Sequence, residues 1–291
     1  MKKVICSIAM GFALLTNVEA ARNKVIYGED NRLDPEDALN SLHVEISKST
    51  AAQIANYKLT AHKSVYVLKN ETLQESMNVC AEEKFSQQNA IARCSGFLVG
   101  PDLVVTAGHC VSSQSHCDGY SWAFDYRSDE IADGEIEKSK VYKCKKILVQ
   151  ALDSSVMSDY ALIQLDRAVT DRKPLSFRKT GKVATGADLV VIGHPSGLPT
   201  KIAAGANVEG NSHDQYFKSN LDTFGGNSGS AVFDAKTGSV EGILVRGAKD
   251  YVMSPKGCLV VNKCKDTSEP GCGGESVSRI TKVEIEKFLK N

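Results

Sequence analysis

The sequence predicts an all-β sandwich or barrel fold in two halves, closed by a C-terminal α-helix. Three observations predict it. Short apolar runs recur along the chain with Gly, Pro, Asn or Asp turns between them. A charged stretch from Asp166 to Lys179 contains Pro174, lacks a sustained apolar pattern and separates a first β-rich half from a second. Near the end, Ile280, Val283 and Phe288-Leu289 fall at helical spacing.

Taken in order, the chain opens with Met1-Lys2-Lys3, an apolar run from Val4 to Leu15, and Val18-x-Ala20. A basic start, a short apolar run and small residues at the end describe a secretory signal peptide over residues 1–20. The run falls short of the ~20 residues that a spanning helix needs, so no membrane association is expected after its removal. Residues 21–60 read as an N-terminal arm or short pro-segment. Within it, Val25-Ile26-Tyr27-Gly28 begins a strand and Asp34-Pro35-Glu36-Asp37 begins a helix, with proline in the first turn. Residues 61–170 form the first β domain. Its strands are Val65–Leu68, Phe97–Val99, Leu103–Ala107, Trp122–Phe124, Val141–Cys144 and Ala161–Leu165. Residues 171–291 form the second, with strands at Leu189–Ile192, Lys201–Val208, Ala231–Phe233 and Val240–Val245, then the helix over Ser278–Lys290. No internal sequence repeat is visible.

Charge and cysteine usage narrow the class. Losing Lys2, Lys3 and Glu19 with residues 1–20 takes 35 basic and 35 acidic residues to 33 and 34, a net charge of about −1. No basic excess exists to attract nucleic acid. Without Cys6 eight cysteines remain: Cys80, Cys94, Cys110, Cys117, Cys144, Cys258, Cys264 and Cys272. An even count in an exported chain implies disulfides, although eight allow 105 connectivities. His109-Cys110 and His116-Cys117 lie close together but lack a second ligand pair at zinc-finger spacing, so no metal is expected. The acidic loop Asp125, Asp129, Glu130, Asp133, Glu135 and Glu137 lacks the EF-hand ligand pattern and reads as solvated.

Chemistry concentrates at Gly225-Gly226-Asn227-Ser228-Gly229-Ser230. Its glycines permit backbone angles that present a serine outward while N–H groups converge beside it. Ser228 then serves as nucleophile, and the N–H groups of Gly226 and Ser228 form the oxyanion hole. The bland reading is a surface turn, since Gly, Asn and Ser are ordinary turn residues. Serine needs a base. Of His43, His62, His109, His116, His194 and His213, His109 stands at the end of a strand and beside a cysteine that can pin its loop. Asp159, directly before an apolar strand, is the carboxylate that would orient it.

Thr106-Ala107-Gly108-His109-Cys110, Asp159-Tyr160-Ala161-Leu162-Ile163 and Gly226-Asn227-Ser228-Gly229-Ser230, in that order, resemble the chymotrypsin-like serine proteases. The last motif is most similar to the bacterial branch that includes V8-type glutamyl endopeptidases. The resemblance covers roughly Ser64 to Leu289. It implies two packed antiparallel Greek-key β-barrels and an exported, monomeric serine endopeptidase acting on polypeptides through an acyl-enzyme, without a cofactor. It also implies a Cys94–Cys110 bridge beside the catalytic histidine; Cys117–Cys144 is expected as a second, with the others unassigned. Asn227 departs from the aspartate that a new N-terminus neutralises in the animal enzymes, so a zymogen step need not insert Val25 or Ile26. For substrate binding the resemblance implies a pocket built from Asp222, Val245, Gly247 and Ser276. Asp222 at its base favours Arg or Lys at P1, with Ser276 narrowing the slot; the alternative for Asp222 is a structural acid bonded to its own turn. Glutamate-specific relatives use a histidine in the strand matching Val240–Val245, which has none. The competing reading is a protease-fold binding protein without activity; a chaperone-protease is disfavoured because no chain remains after Leu289 for a peptide-binding domain.

Overall fold

The computed structural model describes residues 26–247, 249–270 and 272–289. The stretch 1–20 read as a signal peptide and Val25 of the expected first strand lie outside them. Twelve strands build two barrels, all paired antiparallel. The first contains β1 (Thr50–Ala55), β2 (Ala92–Gly100), β3 (Leu103–Thr106), β4 (Tyr120–Phe124), β5 (Val141–Asp153) and β6 (Ser158–Leu165). The second contains β7 (Asp188–Gly193), β8 (Lys201–Gly210), β9 (Tyr216–Ser219), β10 (Ala231–Asp234), β11 (Val240–Arg246) and β12 (Glu275–Arg279). Around the first barrel the order is β1-β2-β3-β6-β5-β4, and around the second β7-β8-β9-β12-β11-β10. These are the same topology, repeated without a visible sequence repeat.

Burial explains the strand patterns. β7 reads Leu189-Val190-Val191-Ile192 with no polar alternation because both of its faces are covered. Leu189 and Val191 point into the second barrel with Val208, Phe217 and Val277. Val190 and Ile192 point the other way, into a cluster shared with Phe97, Val105 and Trp122 of the first barrel. That shared cluster fixes one barrel against the other.

Three expectations need correction. First, β1 lies inside the stretch 21–60 read as an arm, so the first barrel starts before residue 61; its small residues are buried along the whole strand. Second, Asp34-Pro35-Glu36-Asp37 makes only a single 3-10 turn. The α-helix comes later, at Ser41–Ser47, where the Asn40 side chain caps the N–H groups of Leu42 and His43. Third, the C-terminal α-helix is absent among the described residues. Ser278 and Arg279 pair within β12, and two 3-10 turns follow at Ile280–Lys282 and Ile285–Lys287. Glu284 between them adopts φ +53°, which stops a helix, while Ile280, Val283 and Ile285 are all buried.

Four disulfides tie the loops: Cys94–Cys110, Cys117–Cys144, Cys80–Cys258 and Cys264–Cys272. The arm crosses both barrels. Ile26–Tyr27 pairs in parallel with Lys263–Cys264, and Arg32–Leu33 pairs with β8. No helix among the described residues is long and apolar enough to cross a membrane.

Candidate active site

His109 sits where β3 stops. β3 pairs with β6 as far as Thr106 opposite Ala161, and Gly108–Cys110 then turns as a 3-10 helix. That register leaves Asp159, two residues before Ala161, beside the turn. Its carboxylate grips the histidine twice. Oδ1 accepts the His109 backbone N–H at 3.1 Å, and Oδ2 accepts from Nδ1 at 2.8 Å. Both side chains are about 5% exposed. Because a carboxylate accepts only, the bond places the ring proton on Nδ1 and leaves the lone pair on Nε2. Gly108 makes the approach feasible: a Cβ there would lie 2.1 Å from the Ala151 carbonyl oxygen on β5.

Ser228 comes from the other barrel, in the turn between β9 and β10. Its carbonyl accepts the Ser95 N–H at 2.8 Å and lies 3.6 Å from Sγ of Cys110, the residue after His109. No hydrogen bond joins the Ser228 hydroxyl to His109 among the described residues; such contacts commonly tighten only when substrate is bound.

The backbone around Ser228 is specific. Gly225 N–H donates to Asp250, Asn227 N–H to the Phe224 carbonyl, Gly229 N–H to Leu244 and Ser230 N–H to Asn227. Among the described residues, only the N–H groups of Gly226 and Ser228 have no acceptor in this turn. Gly226 holds φ +91°, an angle that suits glycine and few other residues. Asn227 is buried and accepts a hydrogen bond from Ser230 in its own loop at 3.1 Å.

The expected specificity residues are arranged differently. Asp222 is buried, with Oδ1 accepting the Tyr27 N–H at 2.8 Å and Oδ2 accepting the Asn31 N–H at 3.3 Å. It is therefore bonded to the arm and not to its own turn. Val245 falls at a bulge in β11, and Arg246 pairs with Ser276 on β12. The carboxylate beside Gly247 belongs to Glu275, one residue before Ser276. A Cβ on Gly247 would sit 1.9 Å from the Glu275 Oε1. Glu275 is fully buried, and its Oε2 accepts the Thr223 hydroxyl at 2.6 Å. Sequence reading missed Glu275 because a polar Glu-Ser-Val-Ser-Arg run gives little strand signal.

Other features carry less chemistry. Cys94, His109 and Cys110 could group around a metal, as could Cys264, Glu269 and Cys272, but each cysteine pair is a disulfide and offers no thiolate. In the acidic loop Asp125 is bonded by Arg172, and Asp129 by Arg127. Concavities of about 520 and 490 Å³ lie around Asn70, Asn89 and Ser128, and around Glu130 and Glu135, away from His109 and Ser228. Size therefore does not nominate the site.

Two like-ordered antiparallel barrels, with a histidine–carboxylate pair on one and a glycine-rich serine turn on the other, define the chymotrypsin-like protease class. Residues 94–243, about half of the chain, match the trypsin-like peptidase domain, and the chain belongs to that family. Its fold is similar to a Glu endopeptidase in complex with MPD, at 18% identity and TM-score 0.53, over 91% of this chain and 97% of that one. It is also similar to the Vibrio cholerae VesB protease, at 12% identity and TM-score 0.52, over 89% of this chain and 65% of that one. Identities this low speak to the fold alone. Comparison with curated proteins gives no match.

Proposed function

We propose that this peptidase is an exported serine endopeptidase that cleaves polypeptides as a monomer through His109, Asp159 and Ser228. The observation that carries the reading is the pair of unclaimed N–H groups flanking a serine, in a turn where every other N–H is bonded. With Nδ1–H held by Asp159, Nε2 of His109 takes the Ser228 proton as Oγ attacks the scissile carbonyl. The carbonyl oxygen becomes an anion and receives the N–H groups of Gly226 and Ser228. Each such donor contributes about a hundredfold to a thousandfold in rate. The proton then passes to the leaving amine, and water releases the acyl group by the same route. Four disulfides suit an oxidising compartment, which supports export. A serine-directed fluorophosphonate should label the purified chain, and Ser228→Ala should abolish labelling. Undiminished labelling of that variant would overturn the assignment.

We also propose a preference for Arg or Lys at P1. Support comes from two buried carboxylates on the segments that the resemblance gives to the pocket, Asp222 and Glu275. Asp222 is held by the arm amides and Glu275 by Thr223; Glu275, against Gly247, is the carboxylate we assign to the substrate cation, alongside those partners. A hydrogen-bonding site of this kind discriminates strongly between ligands. Peptides differing only at P1 should be cut after Arg and Lys, with Glu275→Gln losing that preference. Cleavage after Glu or Phe with Arg ignored would remove the proposal.

A further inference from the structure

Two consecutive glycines stand where an oxyanion donor must be aimed. Glycine adopts either sign of φ readily, so the Gly225–Gly226 peptide could turn over at little cost. A flip would replace the Gly226 N–H by the Gly225 carbonyl, which repels an oxyanion.

The surroundings oppose that flip. Gly225 N–H donates to Asp250 Oδ2 at 2.8 Å. The Gly225 carbonyl accepts the N–H of Ser196. The Gly226 carbonyl accepts the Ser95 hydroxyl at 2.8 Å. Phe224 carbonyl and Asn227 N–H bond to each other at 3.0 Å. Five of the six polar groups on these three successive peptides are thus held, and the sixth is the Gly226 N–H. The peptides are all trans, so a carbonyl pinned on one side points its N–H to the other.

We propose that Ser95 and Asp250 are positioning residues that brace the Gly225–Gly226 pair from opposite sides and keep the Gly226 N–H directed at the reacting carbonyl. This rests on the serine-peptidase reading above. Ser95 belongs to β2 of the first barrel. Its hydroxyl also accepts the His194 N–H at 2.9 Å, and its own N–H binds the Ser228 carbonyl. It follows Cys94, whose disulfide partner adjoins His109, so one strand registers both the base and the donors. Asp250 precedes the hairpin Tyr251–Met253 and Leu259–Val261, which Cys258 ties to Cys80. The same hairpin holds Ser196, whose hydroxyl lies 2.7 Å from that of Tyr251 and whose backbone is left-handed at φ +54°.

The test compares Asp250→Ala, Asp250→Asn and Ser95→Ala in the full chain. The readouts are kcat and KM on one peptide, affinity for a peptide boronic acid, which fills the oxyanion hole, and affinity for the matching product peptide. Asp250→Ala should lower kcat by about tenfold to a hundredfold, leave KM and product affinity nearly unchanged, and weaken boronate binding in parallel. Asp250→Asn retains an acceptor and should keep kcat within about threefold of wild type. Ser95→Ala should behave like Asp250→Ala; should it fail to fold, the Asp250 pair decides alone. An Asp250→Ala variant with unchanged kcat, or an Asn variant as impaired as the Ala variant, overturns the brace. A wild-type chain without hydrolysis overturns the underlying reading and the brace together, so the two failures are distinct.

Discussion

Burial raises the Asp222 carboxyl to a pKa of about 6, from an ordinary 3.8, even though the Tyr27 and Asn31 amides pull it downward. Asp30 nearby raises it further and Arg32 lowers it. The folded chain therefore holds this proton more tightly than the unfolded one. Stability from this group is greatest below pH 3.8 and is lost as pH rises through about 6. His194 runs the other way. Burial pushes it down from 6.5 to about 3, although the Leu198 carbonyl at Nδ1 pulls it upward, so its contribution is present above pH 6.5 and is lost as pH falls towards 3. Because the two windows overlap, the expected signature lies in a difference. The unfolding midpoint of wild type minus that of Asp222→Asn should decline between pH 4 and 6. A flat difference would mean that Asp222 is not buried against the arm.

At the scale of elements, apolar strands declared themselves and polar ones did not. Val190 and Ile243 sit in runs whose β-branched residues need no context to read as strand. Glu275–Arg279 is buried throughout and Tyr216–Ser219 at alternate positions, yet both carry polar residues and become strands because neighbouring strands supply their hydrogen bonds. The C-terminal stretch shows the converse. Its apolar spacing is helical, yet Ile280, Val283 and Ile285 pack into the inter-barrel cluster as separate turns. The motifs were legible at His109, Asp159 and Ser228 because each depends on residues beside it in sequence. Ser95, Asp250 and Glu275 carry no such local mark.

For the molecule as a whole, the arm is the fastener. Lys201 on β8 is 1% exposed and pairs with Asp34 at 2.5 Å. Asp34 also accepts from Ser128 and Gln88, on segments flanking the first-barrel strands. One buried ion pair thus joins the second barrel, the arm and the first barrel's loops. Lys201→Met strands the carboxylate and should destabilise the chain by about 3 kcal/mol in denaturant unfolding. Asp34→Leu added to it should restore part of the loss, since an apolar pair leaves no buried charge. A single variant as stable as wild type would show that the arm does not fasten the barrels.

The sequence by itself determined the all-β class and the three motifs around His109, Asp159 and Ser228. These are properties of neighbours: period-two burial, turn residues, and a serine among glycines. The tertiary structure alone decided that Asp222 binds the arm, that Glu275 faces Gly247, and that Ser95 and Asp250 hydrogen-bond to Gly226 and Gly225. Each of those contacts joins segments far apart in the chain, and a hydrogen bond between such segments exists only once the barrels have closed and removed water from both partners.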